Sequence, residues 1–206
     1  MPSETDVFQG DQCRIRVCTG GYFHMHSDDP NEISLNAISS ALSRLCRFTG
    51  HLMDGIEIYS VAEHSVLVSY LLEKMGAPAE VIFQGLMHDA SEAYVADIAA
   101  PFKGEIGNYY AVEAKVMARI KDRYLLNDKF DYRVKLADWY ALFIEARNIV
   151  CPNEEELATW QGYAEHGEKS QEFQFGVQCW LPSEAKRQFL IRYAQIQDMM
   201  LEVDDR

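Results

Sequence analysis

The chain has 206 residues, of which 48% are hydrophobic and 25% are charged, a composition typical of a folded globular protein. It carries 32 acidic against 19 basic residues, so its formal net charge is −13. Because nucleic acid polymers and anionic membranes are bound through basic surfaces, this charge argues against both as partners and leaves small molecules as ligands.

The first predicted elements are a flexible segment over residues 1–12 and a β-hairpin over residues 14–25. The hairpin is indicated by β-forming residues on both sides of Gly20 and Gly21. Apolar residues at helical spacing then predict one amphipathic helix over residues 33–48. His24 and His26 lie in the hairpin with no carboxylate partner foreseen, so we expect them at the surface or an interface.

The next two helices are predicted from their boundaries. Ser60 and Glu63 have the spacing of a capping box, in which each side chain accepts a hydrogen bond from the other's backbone N–H. This box predicts a helix that begins at Ser60 and runs to about Met75. The following helix carries residues 81–88 and is predicted to bend near residues 89–91.

Helices account for most of the remaining chain. Pro101 is predicted to close a short helix, and a loop-rich excursion with one short helix is expected over residues 153–181. Longer helices are predicted over residues 109–123, 132–150 and 183–202. We therefore predict an all-α fold with a short N-terminal β-hairpin, organised as one domain over residues 1–206.

Two polar residues lie on apolar helix faces. His64 shares the inward face of its helix with apolar residues, which fits either a core histidine bonded to a carbonyl or a ligand. Asp138 has a similar position, and an unpaired buried carboxylate costs several kcal/mol. Its structural alternative is a salt bridge to Lys135 or Arg133.

A third element adds two potential metal ligands, His88 and Asp89, which are adjacent in sequence. Side chains of adjacent helical residues point about 100° apart, so both can face one ion only where the helix bends or ends. Together with His64 and Asp138 they form a set of two imidazoles and two carboxylates. This set suits Mn²⁺, Fe²⁺, Co²⁺, Ni²⁺ or Zn²⁺.

These residues resemble the HD-domain metal-dependent phosphohydrolases, whose signature is His…His-Asp…Asp on a helical bundle. The segments SVAEHSVL (60–67), LMHDASEAYVADIAAPFK (86–103) and KLAD (135–138) resemble the 5′-deoxynucleotidase branch. The segment ALSRLCRFTGH (41–51) resembles phage-type members, which include dATP triphosphohydrolases. The resemblance implies an HD-domain helical bundle.

The resemblance also implies roles for individual residues. The positions that match the family's metal ligands are His64, His88, Asp89 and Asp138. Glu92 and Asp97 match an acidic pair that positions or activates the attacking water, and Arg47 matches a substrate-binding arginine. Phe48 stands where related nucleotidases often carry Trp, which leaves the base preference open.

Several cations are candidates for contacting the phosphate of a substrate. The planar guanidinium of Arg47 suits bidentate phosphate contact. Arg44 lies three residues earlier, and Lys103 follows the acidic motif, where it can reach a distal phosphate. Surface solvation is the alternative for Arg44 and Lys103, and a place in the core is the alternative to base stacking for Phe48.

The leading hypothesis is metal-dependent hydrolysis of a deoxynucleotide at its 5′-phosphate ester. The favoured reaction releases triphosphate and deoxynucleoside from a dNTP of the dATP type, because Arg44, Arg47, Lys103 and Lys135 supply several cations; Mg²⁺ can accompany the triphosphate. The alternative is a dNMP 5′-deoxynucleotidase that releases inorganic phosphate. Two other classes remain, a catalytically silent nucleotide-sensing HD module and a helical scaffold with buried polar networks.

Cysteine usage and the chain's start predict the compartment. Five cysteines, an odd number without CxxC spacing, are typical of free thiols in a reducing compartment. No apolar run is long enough to span a bilayer, and the start MPSETDVFQGDQ is unlike a signal peptide. We expect a cytoplasmic protein, in the host cytoplasm if it is phage-encoded, and its aromatic content favours a homo-oligomer.

Overall fold

The computed structural model describes residues 12–204, so the segment predicted to be flexible lies outside the described residues except for residue 12. Helices dominate this part of the chain, and its strands form one short hairpin near the N-terminus. The predicted all-α fold with a β-hairpin is confirmed. Among the described residues, no helix combines the length and the apolar character needed to cross a membrane.

The hairpin has the predicted position and turn. Strand β1 (Arg14–Arg16) pairs antiparallel with β2 (Tyr22–His24). The turn contains Gly20 and Gly21 at φ +88° and +82°, a left-handed conformation that favours glycine. Phe23 is the buried side chain of the hairpin and packs into the main hydrophobic core.

The helices surround a main hydrophobic core, and a second, small apolar cluster lies between α7 and α8. They are α1 (Leu35–Leu42), α2 (Val61–Lys74), α3 (Ala79–Met87), α4 (Glu92–Val95), α5 (Ala100–Lys103), α6 (Tyr109–Tyr124), α7 (Tyr132–Ile149), α8 (Glu154–Leu157), α9 (Glu168–Ser170) and α10 (Pro182–Asp204). Helix α2 is central, since it packs against α3, α7 and α10. This arrangement brings the start of α2, the end of α3 and the middle of α7 together.

The predicted helix over residues 33–48 is wrong in its second half, because α1 ends at Leu42. The chain then forms an antiparallel bridge between Cys46 and Ser60, which helical backbone cannot make. The turn Arg47–Gly50 follows, with Phe48 at φ +55°. Arg47 is therefore presented from a turn rather than from a helix.

One of the two hydrogen bonds predicted for the capping box at the start of α2 is present, and the other is not. The Ser60 hydroxyl accepts a hydrogen bond from the Glu63 backbone N–H at 3.2 Å, as predicted. The Glu63 carboxylate instead accepts from the backbone N–H groups that precede α10, those of Gln178, Cys179 and Trp180, at 2.7, 3.0 and 2.7 Å. Glu63 thus joins α2 to the segment that leads into α10.

Replacement of Glu63 by alanine is expected to lower the free energy of unfolding by about 2–4 kcal/mol, because three backbone donors lose their acceptor. Glu63→Gln keeps one acceptor oxygen and should lose about half as much. Urea unfolding of both variants beside the wild type measures the difference. A loss below about 0.5 kcal/mol in the alanine variant would mean that water replaces the carboxylate without cost.

Two predictions in the second half of the chain need correction. Pro101 lies in the first turn of α5 and so begins a helix rather than closing one, because its missing N–H has no role there. The region 153–181 contains two short helices, α8 and α9, rather than one. A π-helical turn (Tyr163–Gly167) leads directly into α9.

The hairpin is tied to α6 through a charged group that the sequence did not indicate. His24 has a carboxylate partner after all, since its Nδ1 lies 2.8 Å from Oε1 of Glu32. The Arg119 guanidinium donates to Oε2 of the same carboxylate at 3.0 Å. Burial raises the pKa of Glu32, but hydrogen bonds from His24 and Arg119 outweigh it and lower the pKa to about 2. His26 is exposed beside Lys115, at 3.2 Å.

This depressed pKa predicts an acid-dependent loss of stability. The Glu32 carboxylate stabilises the fold above its ordinary pKa of 4.5, and the contribution is lost as the pH falls toward 2. We expect Glu32→Gln to lose on the order of 2 kcal/mol at pH 7 and to show a flatter stability profile between pH 5 and pH 3. Urea unfolding across that range is the measurement, with Glu57→Gln, at an exposed loop position, as the control that should follow the wild type.

Candidate metal centre

The four residues predicted as metal ligands lie together. His64 Nε2 on α2 is 3.3 Å from His88 Nε2, 3.3 Å from Asp138 Oδ1 on α7 and 3.4 Å from Asp89 Oδ2. His88 Nε2 is 3.1 Å from Asp89 Oδ2 and 3.9 Å from Asp138 Oδ1. One ligand atom each from His64, His88 and Asp138 falls within 4.8 Å of the others, so this group can hold a metal ion.

The predicted bend after α3 explains how adjacent residues face one point. Helix α3 ends at Met87, and His88 and Asp89 lie in the turn that precedes α4. The α-helical hydrogen bonds give way there to tighter turns, in which the Ala90 N–H donates to the Met87 carbonyl and the Glu92 N–H to the Asp89 carbonyl. His64 is completely buried, whereas Asp89 and Asp138 are 21% exposed, so the group opens to solvent on the carboxylate side.

The orientation of both imidazoles fits a metal site. His88 Nδ1 lies 2.8 Å from the Gly85 carbonyl oxygen, which can only accept, so Nδ1 carries the proton. His64 Nδ1 lies 2.5 Å from Oε1 of Glu145. Both rings therefore direct Nε2 at the centre while a hydrogen bond holds Nδ1, the arrangement that orients histidine ligands in metal sites. Two imidazole nitrogens and two carboxylates form a donor set suited to a divalent ion.

Glu145 is a site residue that the sequence analysis missed. It is completely buried, and its carboxylate also accepts from the Tyr59 hydroxyl at 2.9 Å and pairs with the Arg47 guanidinium at 3.1 Å. The signal was present, because Glu145 lies two helical turns after Asp138 on the same face of α7. An unpaired buried carboxylate is as costly at position 145 as at position 138, so the position of Glu145 on this face also indicates a partner in the site.

Negative charge dominates the centre. Burial disfavours the charged form of His88, but Asp89 and Asp138 outweigh it and raise the pKa of the imidazole to about 9. Burial opposes ionisation of Asp138 as well, yet the two imidazoles hold its pKa well below the ordinary value. The cluster thus favours positive charge at this point, as a cation site requires.

The predicted acidic pair lies beside the centre. Glu92, at the start of α4, is 3% exposed, and its Oε1 accepts from the Lys103 ammonium at 3.3 Å. Its Oε2 has no hydrogen-bond partner among the described residues. Burial, with the charges of Asp89 and Asp97, raises the pKa of Glu92 to about 9. Burial likewise raises the pKa of Asp97.

A cavity of about 680 Å³ opens from the centre, a volume typical of a small-molecule site. Asp89, Glu92, Asp97 and Asp138 line it, so the acidic pair and two of the ligand residues face the same space. The predicted contacts Arg47, Phe48 and Lys103 line it too, together with Lys135. The fourth predicted contact, Arg44, is exposed just after the end of α1, donates to the Ser40 carbonyl and lies outside the cavity lining.

Comparisons with known proteins place this chain in a family. The protein YfdR of Escherichia coli K12 is 39% identical over 135 residues, which cover 66% of this chain and 71% of YfdR. The chain belongs to the YfdR family. An uncharacterized protein of Rhodobacter capsulatus is 28% identical over 148 residues, 68% of this chain and 75% of that protein. No family model matches the sequence.

YfdR is described as an uncharacterized protein, so membership of its family identifies no activity. In this YfdR-family chain, the cations that line the cavity are paired with carboxylates. Lys103 pairs with Glu92 and with Glu113, the latter at 3.0 Å. Lys135 pairs with Asp138 at 2.8 Å, so the salt bridge considered as an alternative coexists with the contact to His64.

Proposed function

We propose that this YfdR-family chain is a metal-dependent hydrolase that cleaves the 5′-phosphate ester of deoxynucleotides on an HD-domain helical bundle. The observation that carries the proposal is the convergence of two histidines and two aspartates from three helical segments beside one cavity, which the two aspartates line. The nitrogen and oxygen donors favour Mn²⁺, Fe²⁺, Co²⁺, Ni²⁺ or Zn²⁺, held by His64, His88, Asp89 and Asp138.

The neighbouring residues supply the proton transfers of the proposed reaction. When bound, the divalent cation polarises a phosphate oxygen and makes water a stronger acid. Glu92 accepts the proton of the attacking water at the unpartnered Oε2. Its carboxyl is ionised for this step when the positive charge of a bound cation offsets the burial and the neighbouring acids that raise its pKa. Asp97 donates a proton to the leaving oxygen. Arg47 orients the phosphate through its guanidinium.

The ion pairs in the cavity favour a monophosphate over a triphosphate. Arg47, Lys103 and Lys135 each pair with at least one carboxylate, and Arg44 lies outside the cavity. A triphosphate chain needs several cations that are free to bind it, whereas a monophosphate needs few beyond the metal. We therefore favour dNMP hydrolysis, with the dATP-type triphosphohydrolase as the alternative in which Mg²⁺ accompanies the substrate.

The net charge and the state of the cysteines support proposals for the partner and the compartment. A small deoxynucleotide is the proposed substrate, and the net charge of −13 argues against a nucleic acid polymer. All five cysteines are free in the structure, which favours the cytoplasm as a reducing compartment. We retain the homo-oligomer as a proposal that a measurement of mass in solution can test.

Product analysis on dAMP, dATP and their ribose and base variants, with Mn²⁺, Co²⁺, Mg²⁺ or EDTA, tests the proposal. We expect metal-dependent release of inorganic phosphate from dNMPs, and release of triphosphate from dATP would support the alternative. Glu92→Gln is expected to lower kcat about 10²–10⁴-fold while calorimetry shows unchanged metal affinity. Folded protein that binds metal and nucleotide but turns over no substrate would identify a sensing module instead.

A further inference from the structure

The cavity beside the metal centre has an aromatic side as well as a charged one. Phe48, Trp139 and Trp160 line it, and the exposed amide of Gln161 lies next to them. Trp160 and Gln161 are neither predicted metal ligands nor members of the acidic pair. Both belong to the segment between α8 and the π-helical turn, for which the sequence suggested no function.

A charged network holds this segment firmly against α7. The Arg147 guanidinium on α7 donates to Glu154, to the Ser170 hydroxyl and to the Gly167 carbonyl, at 2.9, 2.6 and 2.6 Å. The Tyr163 hydroxyl also donates to Glu154. Residues 154–170 are therefore fixed at both ends, and within this segment Trp160 and Gln161 line the cavity.

The two tryptophans that line the cavity, Trp139 on α7 and Trp160, have different surroundings. The Trp139 ring also lines the cavity, but it already contacts other side chains: it stacks on His166 at 5.4 Å, Lys135 Nζ lies 5.2 Å from its centroid, and a Cβ at Gly162 would come within 2.9 Å of it. Trp160 packs on the small apolar cluster of Phe143, Ala146 and Leu157 while remaining partly exposed and lining the cavity. Trp160 is thus the better placed of the two to contact a ligand.

The charged side of the cavity gives little net attraction for an organic anion, because its cations already pair with carboxylates. Selective binding of the organic part of a substrate must then come from the aromatic side. Stacking of a flat ring on an aromatic side chain is worth about 1–3 kcal/mol. A partly exposed indole beside a free amide suits such a ring and its polar edge.

We propose that Trp160 and Gln161 form the subsite for the flat aromatic ring of the substrate, with the indole as the stacking surface and the amide as the hydrogen-bond partner of the ring edge. The identity of the ring rests on the proposed function, under which it is the nucleobase. Residues 154–170 then determine which deoxynucleotides are accepted.

Binding of 2′-deoxyadenosine and of 2-deoxyribose to the Mn²⁺-loaded protein tests this subsite without any hydrolysis. We expect the nucleoside to bind at least 10-fold more tightly than the sugar, since only the nucleoside carries the ring. Trp160→Ala should weaken nucleoside binding about 10-fold, and Gln161→Ala about 5-fold. Trp160→Phe, which keeps an aromatic ring, should retain most of the wild-type affinity. Trp180→Phe, at a tryptophan outside the cavity lining, should leave it unchanged.

The outcomes separate this subsite from the proposed reaction. Equal affinity for nucleoside and sugar would overturn the subsite even if dNMPs are hydrolysed. Nucleoside binding that depends on Trp160 and Gln161, in a protein that hydrolyses nothing, would support the subsite and contradict the hydrolase. A last outcome would assign Trp160 to folding alone and overturn the subsite. In it, Trp160→Ala and Trp180→Phe weaken nucleoside binding equally, and Gln161→Ala and Trp160→Phe leave it unchanged.

Discussion

Under the proposed function, Asp138→Ala is expected to lower metal affinity at least 10²-fold and kcat for hydrolysis at least 10³-fold, because it removes one of the two carboxylates proposed to hold the metal. In the wild type, Mn²⁺ should raise Tm with the logarithm of its concentration above Kd, and this shift should be lost in the variant. Calorimetric titration and thermal unfolding with and without Mn²⁺ provide the measurements.

Lys135→Ala is the matched control for this prediction. It removes the ammonium that lies 2.8 Å from Asp138 and leaves the carboxylate beside His64 in place. Lys135 is 70% exposed, so its ion pair is worth little and the variant should keep metal affinity and fold. If both variants lose equal stability and neither changes metal affinity, Asp138 is a structural salt-bridge partner and the scaffold hypothesis gains.

Glu145→Ala should be the most destabilising of the single substitutions considered, with a loss of about 3–5 kcal/mol, because it leaves the buried Arg47 guanidinium without its main partner. It also removes the acceptor that fixes the His64 ring, so metal affinity should fall about 10–100-fold. Urea unfolding in EDTA measures the first effect, and metal titration of the folded variant measures the second.

A double variant separates the two roles of Glu145. Arg47→Met with Glu145→Leu removes both buried charges, and we expect it to recover most of the lost stability, since apolar replacements of buried ion pairs are well tolerated. Metal affinity should remain low, because His64 still lacks its acceptor. A double variant as unstable as Glu145→Ala would mean that the ion pair itself stabilises the core, and unchanged metal affinity in both would refute the orienting role.

Local signals predicted most helix boundaries in this chain. The cap at Ser60 and the Gly76 that follows α2 identified a helix whose bounds the structure confirms within a residue. The end of α1 was not predictable in this way, because a bridge to Ser60 stops it, and that partner lies 14 residues away from Cys46. A pattern of apolar residues indicates which face is buried but not where a distant strand contact interrupts the helix.

The candidate site likewise has features that local spacing predicts and features that depend on tertiary packing. The face on which a side chain lies follows from its spacing along its own helix, which is why His64 and Asp138 were found from sequence. The pairing of groups depends on packing between distant segments, as in the contact of His64 with Glu145 across 81 residues. Sequence alone could not show that Arg44 lies outside the cavity or that Lys103 is paired with two glutamates.

The sequence by itself determined the helical fold class, the hairpin, the end of α3 before His88 and the helix faces on which His64 and Asp138 lie, because these depend on local spacing and residue type. Only the tertiary structure decided that Glu145 orients His64, that Glu63 binds the segment before α10, and that Trp160 lines the cavity. Those features depend on which segments pack together. The free energy of that packing is summed over the whole core and does not reside in any single stretch of chain.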